Sequence, residues 1–103
     1  MLEANIGILD TMKEIPDSMF NSIDIESIEI PNWIDDIDSD AFTDSDLRLI
    51  SFEENSSVRR LGIRCFADTY IQKIILPDSL YHLDSYCFYN CSNLHTVELN
   101  QNL

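Results

Sequence analysis

Residues 74–97, IILPDSLYHLDSYCFYNCSNLHTV, decide the fold. Ile74 and Leu76 are apolar and two apart, the period of a β-strand with one buried face. Pro77 ends that strand, because proline has no N–H to give to a ladder. Leu80 and Leu83 follow at a spacing of three, and Cys87-Phe88 falls in a tight turn. Leu94 then stands three residues before Val97, where the strand period returns with Val97 and Leu99.

The same columns run outward through the chain. Phe20, Phe42, Phe66 and Phe88 are separated by 22, 24 and 22 residues. Five residues before each stands an aliphatic: Ile15, Ile37, Leu61 and Leu83. Three before that comes Met12, Ile34, Val58 or Leu80. A small or soft residue, Met19, Ala41, Cys65 or Cys87, precedes each Phe. The strand pairs are Ile6/Ile8, Ile28/Ile30, Ile50/Phe52, Ile74/Leu76 and Val97/Leu99. Ile25, Leu47, Ile71 and Leu94 lead into the last four. This places strands near residues 5–8, 28–30, 49–52, 73–76 and 96–99, pairing in parallel.

A repeat of 22–24 residues cannot bury its apolar columns alone. Stacking continues every column through the neighbouring units and builds a quasi-one-dimensional core. The chain is therefore expected to be one mainly-β solenoid, with units at about 5–26, 27–48, 49–72 and 73–95 and a final strand at 96–99. One parallel sheet lines the concave face of a right-handed stack. The convex face is expected to hold a second short strand or extended turn, with a 3₁₀-like turn at each Phe. Two glycines and no ten-residue amphipathic helical pattern argue against an α-solenoid.

The pattern Ile74, Leu76, Pro77, Ser79, Leu80, Leu83, Cys87, Phe88, Cys91, Leu94, Val97 resembles the BspA-like class of leucine-rich repeats. The resemblance is strongest over 71–99 and extends through nearly the whole chain. It departs where Glu53-Glu54-Asn55-Ser56-Ser57 replaces the usual turn and is two residues longer, and where the glycine after the convex aliphatic appears only as Gly62. The resemblance implies a non-catalytic, cofactor-free module for ligand or host-surface binding, with a cell-surface location and a longer parent array. The alternative expectation is an intracellular interaction scaffold, in keeping with the absence of a basic n-region in MLEANIGILDTMKEIP.

Nineteen acids against six bases give a net charge of −13, and residues 1–46 hold 13 of the acids with Lys13 as the one base. A phosphate backbone or an anionic lipid surface is repelled by such a chain, so the expected partner is a protein. Three cysteines, Cys65, Cys87 and Cys91, make no even disulfide framework and read as buried thiols.

Sites for chemistry are thin. Asp36, Asp38 and Asp40 resemble the start of a calcium loop, but the positions that need Gly and Glu hold Ala41 and Leu47. His82, Cys87, Cys91 and His95 are zinc-type residues, yet a stacked unit spreads them around its perimeter. No phosphate loop or nucleophile elbow is present. Asn55 and Asn90 begin glycosylation sequons. Trp33 replaces the Thr11, Ser57 and Ser79 of neighbouring units and is expected at the surface. The expected binding face is the outward side of the concave strands: Ser27, Glu29, Leu49, Ser51, Lys73, Ile75, Thr96 and Glu98. Leu49 and Ile75 are apolar on a face that could have been wholly polar.

Overall fold

The computed structural model describes residues 2–3 and 7–99, with side chains from Leu9 to Leu99. Among the described residues nine short strands follow in chain order: β1 Leu2–Glu3, β2 Glu14–Ile15, β3 Ile25–Ile30, β4 Asp36–Ile37, β5 Leu49–Phe52, β6 Arg60–Leu61, β7 Lys73–Leu76, β8 His82–Leu83 and β9 Thr96–Leu99. Odd-numbered strands line the concave face and even-numbered strands the convex face. All pairings among the described residues are parallel. The convex strands form one four-stranded ladder, β2-β4-β6-β8, so the chain makes about four turns of a β-solenoid.

Two features differ from the sequence expectation. The concave ladder is in two pieces, β1-β3-β5 and β7-β9, with β5 and β7 side by side but unpaired. The longer turn after β5 lies beside this break. Glu53 N–H donates to Ile30 O at 3.0 Å, the Glu53 carboxylate accepts the Asn32 N–H at 2.9 Å, and Asn32 Nδ2 donates to Glu54 O at 3.3 Å. That turn is thus tied back to the preceding unit, whereas Pro77 at the matching place in the next unit has no donor to offer.

The second difference is the first strand, expected over 5–8. Pairing occurs instead at Leu2–Glu3, while Gly7–Thr11 is a 3₁₀ helix and residues 5 and 6 lie outside the described residues. Leu9, 2% exposed, fills the core there. Its carbonyl closes the turn from the Met12 N–H at 3.2 Å and also accepts the Trp33 indole N–H at 3.0 Å.

The third side of each coil is the Phe turn. Ser18, Asp40, Arg64 and Tyr86, two residues before each Phe, all have φ of 57–62°. Ser22, Asp44, Asp68 and Asn90, two residues after, have φ of 55–60°. Left-handed residues at both positions turn every second N–H along the solenoid axis. In the middle unit Asp40, Phe42 and Asp44 N–H donate to Ile63, Cys65 and Ala67 carbonyls at 2.8–3.0 Å. The units on either side repeat the scheme, from Ser18/Phe20/Ser22 and from Arg64/Phe66/Asp68. Without these bonds the N–H groups of buried Phe20, Phe42 and Phe66 would be left unpaired.

Between the three sides the columns meet. The Phe rings stack with centroids 5.1, 5.3 and 6.0 Å apart and planes within 13°. Ile15, Ile34, Ile37, Phe42, Val58, Leu61 and Phe66 are fully buried. Gly62 stacks so closely under the preceding coil that a Cβ would lie 2.7 Å from both Asp38 C and Ser39 N. The last unit carries the same residue types with less cover: Phe88 is half-buried, and Leu83, Val97 and Leu99 are exposed.

Candidate functional site

The outward residues of the concave strands fall into two columns. Ladder register pairs Ser27 with Leu49 and Glu29 with Ser51 in the first piece. It pairs Lys73 with Thr96 and Ile75 with Glu98 in the second. Where the two pieces meet lies a groove of about 940 Å³, open to solvent. Six of the eight expected residues line it: Ser27, Glu29, Leu49, Ser51, Lys73 and Ile75. Thr96 and Glu98 stand beyond its edge, with Glu98 Oε1 3.5 Å from Lys73 Nζ.

An apolar strip marks the floor of the groove. Leu49 is 67% and Ile75 46% exposed, and both strand positions leave their side chains pointing away from the core. Phe52, half-buried, and Pro77, buried, also line the groove towards the turns. One wall is the longer turn, residues 53–56. The sequence marked that turn as longer, but the wall depends on its anchorage to Asn32, which spacing does not reveal. Glu26 and Arg48 contribute on the opposite side, and Asp78 beside Pro77. Five carboxylates, Glu26, Glu29, Glu53, Glu54 and Asp78, thus face two cations, Arg48 and Lys73. Arg48 lies over the Tyr70 ring at 5.1 Å from its centroid, and Lys73 is held by Glu98.

The other sequence candidates have structural occupations. Asp36 and Asp38 bind Arg60, whose Nε and Nη2 reach the two Asp36 oxygens at 3.0 and 3.1 Å and whose Nη2 reaches Asp38 at 3.2 Å. Arg60 Nη1 also donates to Asp84 at 2.9 Å, so one guanidinium clamps three successive coils on the convex face. The hydrogen bonds to Asp36, and then to Asp84, hold Arg60 charged against partial desolvation. Partial desolvation pushes the Asp84 carboxyl up, but hydrogen bonds from Arg60 and His82 prevail and hold it below the usual carboxylate range. Asp40 faces Arg64 at 3.4 Å.

Cys65 and Cys87 sit in the core column with sulfurs 3.2 Å apart, and burial pushes the Cys65 thiol well up. A nucleophilic cysteine needs the reverse, an exposed thiolate beside a cation. Cys91 is half-buried and bonds Phe66 O at 3.0 Å, while His95 is exposed. Among the described residues no three His, Cys, Asp or Glu side chains are placed to hold a metal ion. Among the described residues no helix is long and apolar enough to cross a membrane. Trp33 is 42% exposed, and its indole N–H is already used on Leu9.

Two solved structures share the fold. The pneumococcal vaccine antigen PcpA superposes with a TM-score of 0.81 at 23% identity, over 87% of this chain and 24% of its own. A leucine-rich repeat protein from Eubacterium ventriosum superposes at 0.63 with 18% identity, over 87% of this chain and 30% of its own. The chain therefore spans less than a third of the length of either. No curated protein matches it. Residues 13–103 match the BspA type leucine rich repeat region in six copies. Such repeats generally serve as protein-interaction modules and are typically non-enzymatic, and this chain belongs to the BspA-type leucine-rich repeat family.

Proposed function

We propose that the chain binds a protein ligand through the outward residues of its concave strands, as part of an adhesion or ligand-binding array at a cell surface. The observation that carries this reading is the groove at the junction of β5 and β7, where Leu49 and Ile75, in different outward columns of the two strands, are both exposed. Exposed apolar side chains clustered in a groove with polar walls are a common mark of recognition surfaces. The likeness to the solenoid of a pneumococcal vaccine antigen supports a surface role.

The test introduces Glu29→Lys, Ser51→Arg and Ile75→Asp one at a time, all exposed positions outside the core columns. Each should keep the parent melting temperature, since surface substitutions change stability by about 0.5 kcal/mol or less. Asp17→Lys, exposed on the turn after β2, is the matched charge control. Asp38 is unsuitable because it holds Arg60. Pull-downs from host-surface protein extracts and from cell lysate cover both an adhesive and an intracellular partner. Loss of the captured partner in the strand variants, with retention in the control, supports the reading. Retention in all three strand variants overturns it.

A further inference from the structure

The groove's chemistry narrows the class of partner; this step rests on the concave-face reading above. Five carboxylates line the groove with Leu49 and Ile75: Glu26 and Glu29 on β3, Glu53 and Glu54 on the longer turn, and Asp78 beyond Pro77. The two cations at the rim are committed within the chain, Arg48 to the Tyr70 ring and Lys73 to Glu98. Glu53 is partly engaged by the Asn32 N–H. Among the described residues, Glu26, Glu29, Glu54 and Asp78 enter no ion pair with a side-chain cation.

We propose that the groove takes an extended segment of a partner protein in which apolar side chains alternate with, or are flanked by, lysine or arginine. The apolar residues cover Leu49 and Ile75, and the flanking cations meet the free carboxylates on the two walls. An acidic or phosphorylated segment is disfavoured, because it would bring like charge within a few ångströms of four unpaired carboxylates. A purely apolar segment would cover the strip but leave those carboxylates partly desolvated and without partners. Extended geometry suits the floor, since Leu49 and Ile75 are diagonal neighbours on adjacent strands, roughly 7 Å apart, close to the ~6.6–6.8 Å between alternate side chains of an extended segment.

Fluorescence anisotropy with four labelled heptapeptides tests this on the whole chain: Lys-Leu-Lys-Val-Lys-Leu-Lys, its Glu-for-Lys counterpart, its Ser-for-Lys counterpart, and Lys-Ser-Lys-Ser-Lys-Ser-Lys. The first should bind at least about tenfold tighter than each of the others, and weaken as salt shortens the Debye length below ~10 Å. The double variant Leu49→Ser/Ile75→Ser and the triple variant Glu29→Gln/Glu54→Gln/Asp78→Asn should each lose about tenfold or more. Both sets of changes lie at exposed side chains, and circular dichroism is used to check that each variant keeps the fold.

The alternatives separate cleanly. If the Ser or Glu peptide binds as well as the first, and Leu49→Ser/Ile75→Ser abolishes that binding, the groove is the site and the basic-partner inference is overturned. If the first peptide and Lys-Ser-Lys-Ser-Lys-Ser-Lys bind alike and neither set of groove changes matters, the attraction is diffuse. In that case both this inference and the concave-face reading fail for basic segments.

Discussion

Gly62→Ala probes how closely the coils stack. The added methyl would start 2.7 Å from Asp38 C and Ser39 N and 3.0 Å from Ile37 O, all main-chain atoms of the preceding unit. None can swing aside as a side-chain tip would. Reaching the 3.4 Å of ordinary contact separates the coils locally by roughly 0.7 Å. The same shift stretches the Gly62 N–H to Ile37 O hydrogen bond, 2.7 Å in the parent. Overpacking costs about 1–3 kcal/mol, and a weakened hydrogen bond about 0.5–1.5 kcal/mol. The alanine returns about 0.4–1 kcal/mol by restricting the unfolded chain. The balance is a loss of roughly 2 kcal/mol, equivalent to a fall of about 8–16 °C in melting temperature for a domain of this size. Urea titration followed by circular dichroism should show a lower midpoint with an unchanged slope. Asn93→Ala, at an exposed turn position, serves as the control and should move the midpoint little. A Gly62→Ala variant as stable as the parent, or more so, would refute the close backbone stacking of β4 and β6.

Phe66→Ala should lose roughly 3–5 kcal/mol, since the ring is fully buried between two others, whereas half-buried Phe88 should lose clearly less. Equal losses in denaturant titrations would contradict the thinner cover of the last coil. Tyr86→Asn should raise the melting temperature by a few degrees, because φ is 60° there and asparagine accepts that region with less strain than tyrosine. A fall would mean that the edge-on contact with Tyr89, at 5.7 Å, outweighs the backbone gain. Asp46→Asn should be more stable than the parent at pH 7. A hydrogen bond with Asp24, then desolvation and Asp24's charge, raise the Asp46 pKa in the folded state. A raised folded pKa favours folding below the ordinary value of 3.8 and loses that contribution as pH rises through the folded value. The advantage of the variant should therefore vanish below pH 3.8; a difference that persists there would exclude the Asp24–Asp46 pair as its cause.

The repeat columns were legible because in a solenoid each side chain meets its own counterpart one unit away, so sequence period and burial period coincide. Ile37, Leu61 and Phe66 could be placed in the core by spacing alone, and the outward alternation of Ser27, Leu49 and Ile75 followed from the strand period. The left-handed columns were not legible. Ser18, Asp40, Arg64 and Tyr86 share no side-chain chemistry, and what unites them is an N–H that must point to the next coil. Nor could spacing tell the fate of Leu83, Phe88 and Val97, which carry core-type residues but gain cover only if another coil packs on them. Arg60 brings together carboxylates 22 to 24 residues away on either side, an arrangement that exists only once the coils are stacked. The groove belongs to the same class. Local alternation determined which side chains face outward. The interrupted β5–β7 ladder and the turn anchored on Asn32 decided where they line a groove, because both depend on hydrogen bonds between units that sequence spacing does not encode.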